Sequence, residues 1–361
     1  MSKDLYLDLR SDTVSRPTPE LREYMMGAPV DDDAYGTDPT VLRLEAEMAA
    51  RTGKEAAMFV PSGTMANEVA VQVHTRPGQT LACAPQAHVL VHEDGGPARH
   101  SGVQCMTLGT REAGYGAAEL RALMAEEACG WPRVGLVWTE NTLGAAGGRI
   151  WPLERLQALK EAAGDRPVHL DGARIWNAVV ATGIDLERWA STADSISCCF
   201  SKGLGAPAGS VLCGPADFIE QARQVRHAFG GTMRQTGLLA EAARYVVEHN
   251  VERLAEDHRR ARALSEALGA LPCWRAMPVD TNMAVFEVEA PFEHAEQMCL
   301  FLRREQILVY PNTYREVRMV THLGITDDDV REIVDRSTVI LKRLKPEHYE
   351  QLMAHEAAKP Y

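Results

Sequence analysis

The sequence predicts an α/β protein, with a large domain on a mostly parallel sheet and a smaller α/β domain at the C-terminus. Three observations carry this. The chain has 361 residues, enough for a large core and two domains. From Ala56 to about residue 250, short apolar runs alternate with helically spaced stretches, the pattern of a parallel sheet with crossover helices. After residue 270 a second, smaller set of apolar runs surrounds two helical segments.

Taken in order, the first 15 residues place Leu5, Leu7 and Leu9 in alternation, then Ser11-Asp12-Thr13 and two prolines. This reads as an extended arm leading to a turn. Residues 40–52 have helical spacing. Ala56–Val60, Thr80–Cys83, Gly102–Thr107, Val134–Thr139, Val168–Leu170, Ser195–Phe200 and Gly209–Cys213 read as strands. Gly237–Leu268 is one long helical pattern rich in Ala, Arg, Glu and Leu, a length that often bridges domains. Beyond it, Ala284–Val288, Ile307–Val309 and Val317–Leu323 read as strands, with helices over Glu293–Glu305 and Asp327–Leu344. The expected division is an arm over 1–15, a large domain over 16–250 and a small domain over 251–361.

There are 50 acidic and 38 basic side chains, a formal net charge of -12. That balance argues against nucleic acid or an anionic membrane as partner, since both reward clustered Lys and Arg. No apolar run of about 18 residues is present, so no membrane span is expected. The start, Met1 to Tyr6, lacks the apolar stretch of a signal peptide. The eight cysteines are scattered without a CxxC frame, which points to reduced thiols in the cytoplasm and no bound metal.

The chemistry lies at the strand ends. Lys202 follows the run Ser197-Cys198-Cys199-Phe200 and precedes glycines, and Asp171 ends the run Val168-His169-Leu170. An amine and a carboxylate delivered by two strand ends suit pyridoxal 5'-phosphate: the lysine holds it as a Schiff base, and the acid keeps its ring nitrogen protonated. Pro61-Ser62-Gly63-Thr64 follows a strand and opens a helix, where N–H groups and hydroxyls can meet a phosphate; a plain helix cap is the alternative. His88 follows another strand and could stack on a flat ring. Glu93 either orients that histidine or is a solvated surface carboxylate.

Arg174 and Arg318 could bind a substrate carboxylate bidentately, with a structural ion pair as the alternative reading. Arg318 stands within an apolar strand, where a charge must find a partner. Arg234, after Gly230-Gly231, could meet a phosphate, while Arg223 and Arg226 read as solvated helix residues. Gly114-Tyr115-Gly116 lacks the third glycine of a dinucleotide loop and is set aside.

Together these segments resemble the threonine aldolase family of pyridoxal phosphate enzymes. The resemblance runs from Leu9-Arg10-Ser11-Asp12-Thr13-Val14 to Arg318-Met319-Val320-Thr321-His322-Leu323. Between them, Asp33-Ala34-Tyr35-Gly36-Thr37-Asp38-Pro39, Pro61-Ser62-Gly63-Thr64-Met65-Ala66-Asn67, Gln86-Ala87-His88, Asp171-Gly172-Ala173-Arg174, Phe200-Ser201-Lys202-Gly203 and Gly230-Gly231-Thr232-Met233-Arg234-Gln235 look like family motifs in the family's order. The resemblance implies the aspartate aminotransferase-type fold (fold type I) with a seven-stranded sheet. It implies that Lys202 holds the cofactor, Asp171 pairs with its ring nitrogen and His88 stacks on it. Ser62, Gly63, Thr64 and, from a neighbouring subunit, Arg234 would bind the phosphate. Ser11, Arg174 and Arg318 would hold the carboxylate of a small amino-acid substrate, with Tyr35 near the pocket from a partner subunit. A homotetramer built from dimers with shared sites is implied as well.

One position departs from the family pattern. Many of these enzymes carry a histidine after Glu-Asn-Thr that contacts the substrate's β-hydroxyl; this chain has Leu143. An apolar wall there disfavours a small β-hydroxyl group and favours a bulkier side chain such as that of phenylserine. The expected reaction is cleavage of an L-β-hydroxy-α-amino acid to glycine and an aldehyde. Two other readings stay open: racemisation or β-elimination on the same residues, and a ligand-binding protein without turnover.

Overall fold

The structure, a computed structural model, describes residues 6–343. Leu5 and the rest of the expected arm before Tyr6, and Leu344 at the expected end of the last helix, lie outside the described residues. The chain divides into two compact units. One runs from Ser15 to Arg253; the other joins the chain before Ser15 to the chain from Leu254 onward. The described chain opens in the second unit with β1 (Leu7–Asp8), which pairs in parallel with Ile307 and Leu308. The extended arm is therefore a strand, followed by a 3-10 turn over Asp12–Val14.

The large unit begins with α1 (Pro19–Met26) and α2 (Pro39–Thr52). Each has proline at its first position and a side-chain cap: Thr18 accepts from Leu21 N at 3.2 Å, and Asp38 Oδ1 from Thr40 N at 3.0 Å. The sheet comprises β2 (Ala56–Val60), β3 (Thr80–Cys83), β4 (Gln104–Thr107), β5 (Val134–Glu140), β6 (Val168–Gly172), β7 (Ser195–Cys199) and β8 (Ser210–Gly214). Its order is β2-β8-β7-β6-β5-β3-β4. Pairs from β7 through to β4 are parallel, whereas β8 is antiparallel to both neighbours. Strand β2 consequently points the same way as β3 to β7. Every residue of β5, β6, β7 and β8 is buried, which is why these strands read as apolar runs without alternation.

The sheet strands are interleaved with α3 (Gly63–His74), α4 (His88–Val91), α5 (Gly96–Ser101), α6 (Ala117–Ala125), α7 (Leu153–Ala163), α8 (Ile175–Thr182) and α9 (Leu186–Ala190). After β8 come α10 (Ala216–Ala228) and α11 (Gly237–His249). The single helix expected over Gly237–Leu268 is two helices, α11 and α12 (Leu254–Gly269). Asn250 caps α11 and donates its Nδ2 to Leu204 O at 2.7 Å, tying its side chain to the loop after β7 where the helix stops. The boundary between the units falls at the same break.

In the second unit, β9 (Trp274–Ala276), β10 (Met283–Val288), β11 (Ile307–Leu308), β12 (Tyr310–Pro311) and β13 (Glu316–Val320) accompany α12, α13 (Ala295–Arg304) and α14 (Asp327–Arg343). The four-stranded antiparallel sheet runs β12-β13-β10-β9, and β11 pairs with β1 instead. Its core gathers Leu264 and Leu268 of α12, Phe286 of β10, Leu302 of α13, Val317 of β13 and Ile333 of α14.

Candidate active site

Because β8 alone is reversed, β2, β3, β5, β6 and β7 all end at one edge of the large sheet. Loops leaving the carboxyl ends of parallel strands form the usual ligand crevice of such sheets. Here they deliver Ser62-Gly63-Thr64, His88, Glu140, Asp171 and Lys202 respectively. Register makes this concrete: Glu140 lies opposite Asp171, and Asp171 opposite Ser197, five residues before Lys202.

Asp171 is buried and each carboxylate oxygen accepts a bond, Oδ1 from Ala173 N at 2.9 Å and Oδ2 from Asn67 Nδ2 at 2.9 Å. The second hydrogen of the Asn67 amide goes to Glu93 Oε1 at 2.8 Å, and Asn67 Oδ1 accepts from Ser197 Oγ at 3.2 Å. One buried amide on α3 thus fixes the acid of β6 and the acid after α4 together. Glu93 Oε1 also lies 2.7 Å from His88 Nδ1. Of the two readings of Glu93, the structure supports the first: it is buried and holds His88. Burial pushes the His88 pKa down, but the Glu93 hydrogen bond and the charges of Asp171 and Glu93 outweigh it and raise the value, while Lys202 opposes them.

Glu140 braces the same region from β5. Its oxygens accept from His88 N at 3.0 Å and Gly144 N at 2.9 Å, so it positions both the histidine and the loop containing Leu143. Burial and the nearby Asp171 raise its pKa. Leu143 is buried and pairs with Arg149 across an isolated bridge. Lys202 and Arg174 are half-buried; Arg174 precedes α8, with its Nη1 beside Gly144.

At the start of α3, Ser62 Oγ caps Met65 N at 3.2 Å, and Ser62 and Thr64 are exposed. A methyl group on Gly63 would stand 2.6 Å from Cys199 Sγ, so only glycine lets this helix approach the end of β7. The first-turn N–H groups have no partner within the helix and face outward with its positive dipole end.

The remaining expected residues lie on other segments. Ser11 and Arg318 belong to the second unit. Ser11 Oγ accepts from Thr13 Oγ1 at 2.8 Å, and Arg318 lies over the Tyr310 ring at 4.8 Å and donates to Arg10 O at 3.3 Å. Arg234 is largely exposed, 3.5 Å from the Asp32 carboxylate, and Asp33 N donates to Arg234 O at 2.9 Å. Tyr35, 82% exposed, therefore shares its neighbourhood, beside a cavity of about 600 Å³ that Asp33, Leu42 and Arg226 also line. The reading of Arg223 and Arg226 as solvated is corrected. Arg226 is buried, 3.2 Å from Asp33 and donating to Phe59 O at 2.8 Å; Arg223 pairs with Glu45 at 2.5 Å. Arg226 faces inward from α10, and the half-exposed Arg223 reaches back beside it, each to a carboxylate of the first helical segments, a pairing invisible in α10's own periodicity.

Asn67 and Glu140 carried no assigned role in the sequence reading. Asn67 lies one turn beyond Gly63, and Glu140 closes a strand, which are the signals available in the sequence.

Residues 8–291 match the family described as beta-eliminating lyase. The chain is 40% identical over 335 residues to low-specificity L-threonine aldolase 1 of Arabidopsis thaliana, covering 90% of this chain and 93% of that protein. It is 38% identical over 340 residues to the low specificity L-threonine aldolase of Escherichia coli (strain K12), covering 93% and 100%. A solved structure of Leishmania major threonine aldolase shares the fold with a TM-score of 0.78 at 19% identity, covering 92% of this chain and 99% of that one. With the site geometry, these matches establish that the chain belongs to the beta-eliminating lyase family and, within it, to the threonine aldolases, as a carbon–carbon lyase.

Proposed function

We propose that the protein cleaves L-threonine, L-allo-threonine or a bulkier L-β-hydroxy-α-amino acid to glycine and an aldehyde, with pyridoxal 5'-phosphate as cofactor. The observation that carries the reading is the convergence of Lys202, buried Asp171 and the N-terminus of α3 at one sheet edge. The residues fit the cofactor. Each Asp171 oxygen accepts one hydrogen bond and keeps a lone pair for a ring N–H. The Gly63 approach leaves N–H groups and the Ser62 and Thr64 hydroxyls for a phosphate, and Lys202 supplies the amine.

Bound there, the cofactor supplies an electron sink for the pair left at Cα when the Cα–Cβ bond breaks. Asp171 keeps a proton at the ring nitrogen, and Lys202 Nζ is the attachment point. His88, held through Nδ1, leaves Nε2 to exchange a proton with the substrate's β-oxygen, and the Glu93 hydrogen bond that raises its pKa strengthens its hold on that proton. Arg174, Ser11 and Arg318 bind the carboxylate, and Arg234 contributes to the phosphate from a neighbouring subunit of a homotetramer that places Tyr35 near the pocket. The eight free thiols suit the cytoplasm. Among the described residues, no helix is long and apolar enough to cross a membrane.

The test is incubation of the pyridoxal phosphate-loaded protein and its Lys202→Ala variant with L-threonine, L-allo-threonine and L-phenylserine, with products resolved by mass spectrometry. Glycine and the matching aldehyde are expected from the parent only. A D-amino acid, or a keto acid with ammonia, would move the reading to Cα–H chemistry, the racemase or lyase alternative. Leu143→His should raise kcat/KM for threonine relative to phenylserine by about tenfold, the effect of one regained hydrogen bond. An unchanged ratio would free Leu143 of any part in selectivity.

A further inference from the structure

Glu68, on α3 directly after Asn67, is buried, and neither of its carboxyl oxygens meets a donor among the described residues. Oε2 of Glu93, whose other oxygen serves His88 and Asn67, is buried and without a donor as well. The two carboxyl groups face each other, and the Glu68 carboxyl occupies the space that a Cβ at Gly96 would need. Two buried carboxylates in contact are strongly unfavourable, whereas a carboxylic acid donating to a carboxylate satisfies both.

We propose that Glu68 is a positioning residue that carries a proton and donates it in a hydrogen bond to Glu93 Oε2, so that Glu93 holds His88 Nδ1 with a single negative charge. Burial, then the Glu93 charge and hydrogen bond, push the Glu68 pKa up to about 9. The Cys105 thiol of β4 also lies near it, and burial and Glu68 push that thiol up to about 11. Beyond Glu93 lie His88 and, through Asn67, Asp171. The result is a chain, Glu68–Glu93–His88, in which the far end sets the charge of the link that orients the imidazole. No feature of the expected catalytic set requires it.

The sign of the pH effect follows. Between the ordinary carboxyl value and about 9 the folded chain keeps a proton that the unfolded chain has released, so stability falls as pH rises through that window. Above about 9 Glu68 ionises in the folded protein, and a second negative charge behind Glu93 tightens the grip on the His88 proton.

The proposal rests on His88 acting at the substrate, but its central claim is a protonated buried carboxyl group that can be read without turnover. Infrared difference spectroscopy of the intact holoenzyme should show a protonated-carboxyl carbonyl band that disappears as pH passes about 9 and is missing in Glu68→Gln. The pH profile of kcat in the parent should show an alkaline step near the same pH that Glu68→Gln lacks, because the amide keeps the donor and cannot ionise. Glu68→Leu, which removes the donor, should lower kcat about tenfold with little change in KM. A parent without the titrating band, or a Glu68→Gln variant that retains band and step, overturns the proposal. If the band behaves as expected but no glycine forms, the aldolase reading fails while the Glu68 assignment stands.

Discussion

At the residue scale, His88 shows how its neighbours set a charge. Burial by itself would lower the imidazole pKa; the Glu93 hydrogen bond and the charges of Asp171 and Glu93 outweigh it and raise the value. Glu93→Gln keeps the shape and removes the charge, so the His88 pKa should fall. The limb of the kcat/KM profile belonging to His88 should move to lower pH, measured between pH 5 and 9. A stationary limb would assign it to another group. Lys202, Asp171 and His88 were legible in the sequence because each follows an apolar strand. Asn67 and Glu140 were not: their roles come from bonds across 104 and 52 residues of chain, and no local pattern encodes such partners.

At the scale of elements, the junction of α3 with β7 decides whether the phosphate loop can form. Gly63→Ala would push a methyl group into Cys199 Sγ and force the helix start away from the sheet edge. Overpacking of this kind costs about 1–3 kcal/mol. The variant should melt earlier and bind pyridoxal phosphate at least about tenfold more weakly, and adding Cys199→Ala should recover much of both. Titration of cofactor binding by absorbance checks the first effect, and persistence of the defect in the double variant would refute the steric account. In the large sheet strand positions were readable to within a residue or two, because most of these strands are buried and bounded by glycines and charges. In the second unit the run Val317–Leu323 overshoots β13 by three residues, and the short strands β9 and β12 were not read. The break between α11 and α12 was not, since the sequence there keeps its helix-forming composition and the stop comes from Asn250 binding the carbonyl of Leu204. The ion pairs of Arg223 and Arg226 were hidden for a similar reason, their partners Glu45 and Asp33 lying far back in the chain, 178 residues away in the case of Glu45.

At the scale of the whole molecule, folding stability carries a pH dependence unrelated to the site. His74 and His169 share the Ser195 hydroxyl, at 2.7 and 2.8 Å, linking α3, β6 and β7. Burial lowers their pKa values to about 4 and about 3. Below about pH 6.5, the ordinary histidine value, the unfolded chain takes up protons that the folded chain refuses. Stability is therefore lost as pH falls from 6.5 towards the folded values, by up to about 1.4 kcal/mol per pH unit for each histidine. His74→Gln retains a partner for Ser195 and does not titrate, so calorimetry at pH 7 and pH 5 should show a smaller drop in Tm for the variant. Equal drops would place the acid sensitivity elsewhere. The distribution of thiols has a practical consequence. Of the eight cysteines, Cys129, on the 3-10 turn after α6, is the exposed one, while the rest are wholly or partly covered. A maleimide fluorophore or spin label applied at neutral pH should therefore mark the native sequence at one place on the large unit, giving a spectroscopic handle without engineering a single cysteine.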